Sequence, residues 1–252
     1  MHVGTGNRVF ATALVAILSL VAGCGGGGGD DGDDEEFDND ATGVWTGTHT
    51  PDGKPAVTVT AVVAPNGRFV AASSQIYLSG SGTVSGDRLS ATATGWAPAG
   101  TTFANGSTSG AFALTGFLFE GNRSESTYSG ANESGRLVLN YSSCRSNRSS
   151  SLATIAGSYA TGSGATSVAI NSNGAITFNS TQGTNCIGNG TMRVGDSARN
   201  VYTWSMTLSG CTAVNGSVDG VATLDDVGGQ TNNQLVMLGA SSSAPFGVIA
   251  VK

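Results

Sequence analysis

The chain has 252 residues, enough for one large all-β domain or two small ones. Glycine is abundant at 39 residues, while charged residues make up 11% and aromatics 7%, so the Leu, Glu, Lys and Arg that long amphipathic helices need are scarce. The formal net charge of −6 belongs to one segment. Eight acids (Asp30, Asp31, Asp33, Asp34, Glu35, Glu36, Asp38 and Asp40) form a single run, and setting them and Arg8 aside leaves nine acids against ten bases. That near-neutral body carries no basic stripe, so nucleic acid finds no electrostatic footprint on it.

From the N-terminus, Arg8 precedes a stretch, 9–21, in which Thr12 and Ser19 are the only polar residues. A run of about 13 residues is too short to cross a bilayer as a helix, which takes about 20, and suits the apolar segment of an export signal. It ends Leu20-Val21-Ala22-Gly23-Cys24: apolar residues, two small ones, then a thiol. This pattern resembles the lipobox of bacterial lipoproteins. The resemblance covers the leader alone. It implies removal of the signal peptide 1–23, uptake of a diacylglyceryl group by the Cys24 thiol, and a membrane as partner through the N-terminal lipid. Several acyl chains at about 0.8 kcal/mol per buried CH₂ give stable anchoring. Gly25 rather than Asp follows the cysteine, which within the same resemblance implies the outer membrane of the cell envelope.

Residues 25–29 are all glycine and lead into the acidic run. Maximal backbone freedom and mutual repulsion leave such a segment unable to bury apolar surface, so 24–42 is expected to be a lipid-bearing, disordered tether. The acids lack the ligand spacing and closing Glu of a calcium loop, and no metal or other cofactor is expected.

The remainder divides into two similar halves, 43–145 and 157–252, joined by a polar, Ser-rich linker at 146–156. Gly43-Val44-Trp45 matches Gly157-Ser158-Tyr159 at an offset of 114, and Asn66-Gly67 matches Asn173-Gly174 at 107. Gly80-Ser81-Gly82-Thr83-Val84 aligns with Gly188-Asn189-Gly190-Thr191-Met192 at 108, and the stretch from Asn105-Gly106-Ser107 aligns with that from Asn215-Gly216-Ser217 at 110. Each half holds about eight runs with strand character. In the first they fall near 44–50, 56–64, 68–73, 75–84, 88–97, 109–120, 123–129 and 137–142. In the second they fall near 157–161, 167–171, 175–179, 184–194, 201–209, 218–225, 234–238 and 246–251. Alternation is clearest at 201–209, where Tyr202, Trp204, Met206 and Leu208 share one face against Thr203, Ser205, Thr207 and Ser209. The two Asn-Gly pairs have the chemistry of type I′ hairpin turns. Hairpins in series that hide their edges predict an all-β fold of two tandem antiparallel up-and-down barrels of about eight strands each. Two sandwiches, or one larger barrel, are the alternatives.

Chemistry is sparse. Gly43-Val44-Trp45 resembles the Gly-x-Trp opening of lipocalin-like barrels, where Trp closes one end, and implies a core plug at Trp45; the second half departs from it with Tyr159. His49 is the only histidine beyond the leader and is expected to be solvated in a loop before Pro51. There is no Gly-x-Ser-x-Gly elbow, no Cys pair with zinc spacing and no His pair. Gly80-x-Gly82 and Gly188-x-Gly190 lack the following Lys of a phosphate loop and suit twisted strands. Asp225-Asp226, near Asp219, is the best acidic cluster and is expected in a solvated turn. No catalytic residue is assigned. The functional expectation is an envelope lipoprotein presenting a non-enzymatic β module for binding or interaction. One alternative is a carrier of a small apolar ligand inside a barrel, which needs an open interior. Another is an enzyme acting on envelope glycans, which needs two of the nine body acids in one cleft.

Beyond the leader lie Cys144, Cys186 and Cys211. Folding a hairpin about Ala198 brings Cys186 and Cys211 within one residue of opposite positions, within disulfide range if a bulge brings Cys211 round. That pair is expected, with Cys144 left as a free or intermolecular thiol. The rival pairing, Cys144 with Cys186, would tie the repeats together.

Overall fold

The computed structural model describes residues 41–119, 122–181, 185–212 and 214–252. The first half supplies β1 (Gly43–Pro51), β2 (Val57–Val63), β3 (Arg68–Ser73), β4 (Tyr77–Ser85), β5 (Arg88–Trp96), β6 (Ser109–Phe119), β7 (Arg123–Gly130) and β8 (Glu133–Tyr141). Two helical turns follow, α1 (Ser143–Ser146) and α2 (Leu152–Ile155), the second capped by the Ser151 hydroxyl. The second half supplies β9 (Gly157–Ala160), β10 (Thr166–Ile170), β11 (Ala175–Ser180), β12 (Cys186–Val194), β13 (Tyr202–Ser209), β14 (Gly216–Val227), β15 (Gln230–Ala240) and β16 (Pro245–Val251). Each set closes into an antiparallel up-and-down barrel, with β8 back on β1 and β16 back on β9. The two-barrel expectation holds, and every expected run contains a strand.

The hydrogen-bond registers define which residues of the two barrels are equivalent. Trp45 and Tyr159 each donate from the side chain to the carbonyl four residues earlier, Ala41 and Ile155, and so mark the same place. Stepping from that pair across each ladder returns consistently to Tyr141 beside Trp45 and Lys252 beside Tyr159. The Asn-Gly turns keep their offset of 107: Gly67 and Gly174, both with positive φ, present their carbonyls to Gly82 and Met192. That bond makes Gly82 the equivalent of Met192, an offset of 110 rather than the 108 suggested by the Gly-x-Gly pattern. On β6 and β14 the ladders give 106 rather than 110. Sequence similarity there tracks glycine spacing, whereas register tracks the ladder.

The barrels pack wall to wall. Outward residues Val62, Val70 and Ala72 of the first barrel meet Val221, Val236 and Leu238 of the second in one buried apolar cluster. Strands there are buried on both faces, so β3 shows no alternation over Phe69–Ser73 and β15 none over Leu235–Gly239. Tyr77 crosses this seam. Its hydroxyl accepts from the Gly239 N–H and lies 2.8 Å from both the Gly239 and Phe246 carbonyl oxygens, one of which takes its proton.

The polar linker is tied into the same seam. Ser146 is fully buried and its hydroxyl bonds both backbone groups of Val44. Arg145 grips Asp225 through two nitrogens, and Arg148 reaches Asp226 at 2.7 Å. Asp225 and Asp226 therefore do not form a solvated turn: both belong to β14, and Asp225 is 6% exposed. Tyr77→Phe would remove the hydroxyl's bonds to Gly239 and Phe246 in the seam. The expected cost is about 1–3 kcal/mol, seen as a lower urea midpoint with unchanged far-ultraviolet circular dichroism.

Candidate functional site

The two interiors differ. The first barrel holds a cavity of about 580 Å³, within the range of small-molecule sites. Its wall includes Ala61, Ala71, Gly82, Ala91, Ser124 and Ser126. The cavity reaches the end of the barrel formed by Ala41 and the turn at Pro65, Asn66 and Gly67. The opposite end is closed by packed rings, with Phe103 against Phe112 and Phe112 against Tyr128.

Register equivalence explains the hollow. Ala61, Ala71, Gly82, Ala91, Ser124 and Ser126 stand where the second barrel has Val168, Phe178, Met192, Trp204, Leu235 and Met237. All six of those larger side chains belong to one buried core cluster that fills the second barrel. Strand number and pairing are the same in both barrels, so the volume missing from these side chains becomes space in the first.

Among the described residues the cavity wall carries no charge. Its buried polar groups are the Trp45 indole nitrogen, already bonded to Ala41, and the hydroxyls of Ser124 and Ser126, 6% and 4% exposed. Trp45 is buried and forms part of the cavity wall.

His49 corrects the expectation of a solvated loop residue. It lies within β1, 1% exposed, at the closed end of the barrel. The ring nitrogens meet the Ser73 hydroxyl at 3.1 Å and the Tyr128 hydroxyl at 2.8 Å. Alternation was the missed signal: Trp45, Gly47 and His49 share the inward face, against Thr46, Thr48 and Thr50. Burial pushes the ring's pKa down to about 4, with Glu133 opposing and Lys54 adding to the shift.

Cys186 and Cys211 form a disulfide with Cα atoms 4.3 Å apart. The last ladder pair beside it is Ile187 with Ser209, which would set Cys186 opposite Gly210. Gly210 takes φ +71°, a conformation open to glycine at little cost, and this brings Cys211 round. Cys144 is not a free thiol, which corrects the free alternative of the expected free or intermolecular thiol, and it is not the partner of Cys186. Cys24, the signal peptide and the acidic run lie outside the described residues. Gly80, Gly82, Gly188 and Gly190 lie in strands β4 and β12.

A wider polar crevice runs outside the first barrel, bounded by Ser79, Thr92, Thr94, Asn215 and the ion pair Arg68–Asp219. Among the described residues Asp219 is the only carboxylate that lines it, and none lines the barrel cavity. Among the described residues no group of three His, Cys, Asp or Glu side chains is placed to hold a metal ion. No protein-family model, curated protein or solved structure matches this chain.

Because the ring at position 49 protonates more readily unfolded than folded, stability should be full above pH 6.5 and fall as pH drops towards about 4. At pH 4.5 the loss attributable to His49 should be about 2–3 kcal/mol, read from urea midpoints at pH 7.5 and 4.5. His49→Gln should flatten the dependence in that window.

Proposed function

We propose that this protein is an envelope lipoprotein, anchored through a lipidated Cys24, whose first barrel carries a small apolar ligand while the filled second barrel serves as its scaffold. The observation that carries the proposal is a cavity of about 580 Å³, uncharged among the described residues, in one barrel beside an equivalent barrel filled by side chains. A fold that closes its core in one copy does not need a hollow in the other for stability. The larger side chains of the second barrel are the better-packed solution.

The anchor and the cavity share one end of the molecule. The chain enters the body at Ala41, on the rim of the cavity. Residues 24–40 could span up to about 60 Å when fully extended. Phe117 and Phe119, 38% and 43% exposed, stand on the outer wall towards that end, an arrangement suited to contact with an apolar surface. In this reading the open end of the barrel lies nearest the membrane.

Two experiments test the two parts separately. A neutral, environment-sensitive dye should bind purified protein one to one. Ala71→Phe, which installs the second barrel's residue, should weaken it at least tenfold while circular dichroism stays unchanged. Undiminished binding would remove the cavity from the account. For the anchor, Cys24→Ser should abolish acyl labelling and move the protein to the aqueous phase of a detergent partition. Cys24 can hold a thioether or a disulfide, never both. A Cys24–Cys144 disulfide found by peptide mapping of the mature protein would therefore overturn lipidation at that residue.

A further inference from the structure

Resting on the reading of the first barrel as a ligand site, we infer that its ligand is an uncharged lipophile bearing a hydroxyl, ester or ketone oxygen, and that the hydroxyls of Ser124 and Ser126 receive that oxygen.

Both serines lie on β7 two residues apart, so both point into the barrel, about 7 Å from one another along the strand. Each faces the cavity and each residue is more than nine-tenths buried; neither hydroxyl bonds to another described residue, and neither is among the fully enclosed unpartnered atoms, so both are reached from the cavity. A buried hydroxyl without a partner costs free energy, and an aliphatic side chain at the same place would not. The second barrel shows what the fold accepts there: Leu235 and Met237. Serine at 124 and 126 is therefore not required by the barrel and is unfavourable for its core, unless something in the cavity bonds to it.

The surroundings keep these hydroxyls open. Across the ladder Ser124 faces Leu118 and Leu139, and Ser126 faces Gly116 and Leu137. A Cβ on Gly116 would come within 2.6 Å of the Ser126 Cβ, so glycine leaves the space beside this hydroxyl clear. The aliphatic neighbours offer no competing donor or acceptor.

The same wall argues against an ionised ligand group. Among the described residues no Lys, Arg, His, Asp or Glu lines the cavity. His49 lies beyond it at the closed end, with both ring nitrogens already engaged. A carboxylate or ammonium drawn inside would lose its hydration without gaining a counter-ion. A hydroxyl both donates and accepts, so serine serves an alcohol and a carbonyl equally well.

The experiment uses four probes of one chain length at pH 8: decanol, methyl decanoate, decanoate and decane. Decanol and the ester should bind, decanoate at least tenfold more weakly. Ser124→Ala with Ser126→Ala should weaken decanol about tenfold and leave decane unchanged, because the change removes hydrogen bonds but not the cavity. The infrared carbonyl band of bound methyl decanoate gives a readout on the unaltered protein. It should sit at lower frequency than in liquid hydrocarbon. An unshifted band, a preference for decanoate, or decanol affinity unchanged in the folded double variant would overturn the assignment while leaving the cavity as a ligand site. Failure of all four probes to bind would overturn the ligand site itself.

Discussion

Eight antiparallel strands closed on themselves enclose a space whose size follows from strand number and stagger, not from the side chains pointing into it. Those side chains decide only whether the space becomes core or cavity. Both barrels obey the same closure, and their ladders can be stepped through in parallel from Trp45 and Tyr159 round to Tyr141 and Lys252. Within that shared frame the second barrel sets Phe178, Met192, Trp204 and Met237 against one another, and the first sets Ala71, Gly82, Ala91 and Ser126. The contrast is between two solutions to one geometric problem, and only the second fills its interior with side chains.

A hollow barrel must obtain its stability elsewhere, and the wall-to-wall seam is where the first barrel finds it. Val62, Val70 and Ala72 would face water if the barrel stood alone; here they are buried against Val221, Val236 and Leu238. Tyr77 locks the same surface through its bonds to Gly239 and Phe246. Arg145, at the end of the first half, and Arg148 of the linker add charge-assisted bonds to Asp225 and Asp226. Filled barrel, disulfide and seam thus form a rigid support, leaving the interior of the first barrel free for small residues.

Much of this was legible in the sequence, for reasons that differ from element to element. Alternating faces and Asn-Gly turns are local signals, and they located the strands and the two-barrel fold. The Cys186–Cys211 pair followed from counting along a hairpin, because only Gly210 had to bend. The alignments by glycine spacing at β4 and β6 misled, because glycines recur wherever walls approach closely and so do not mark register. His49 was misplaced although its parity with Trp45 pointed inward. The seam was missed because two-sided burial erases the alternation used to recognise a sheet face, as at Phe69–Ser73. The cavity could not be read without register: Ala61, Ala71 and Ala91 are unremarkable singly and become a cavity wall only when the ladder brings them together.

Methyl-resolved nuclear magnetic resonance during titration with a neutral lipophile tests the central contrast most directly. The account predicts saturable shifts at Ala61, Ala71, Ala91, Leu114 and Leu137 in the first barrel, with the Met192, Met206 and Met237 methyls of the second unmoved. Shifts centred on those methionines, or the absence of saturable shifts in the first barrel, would contradict it.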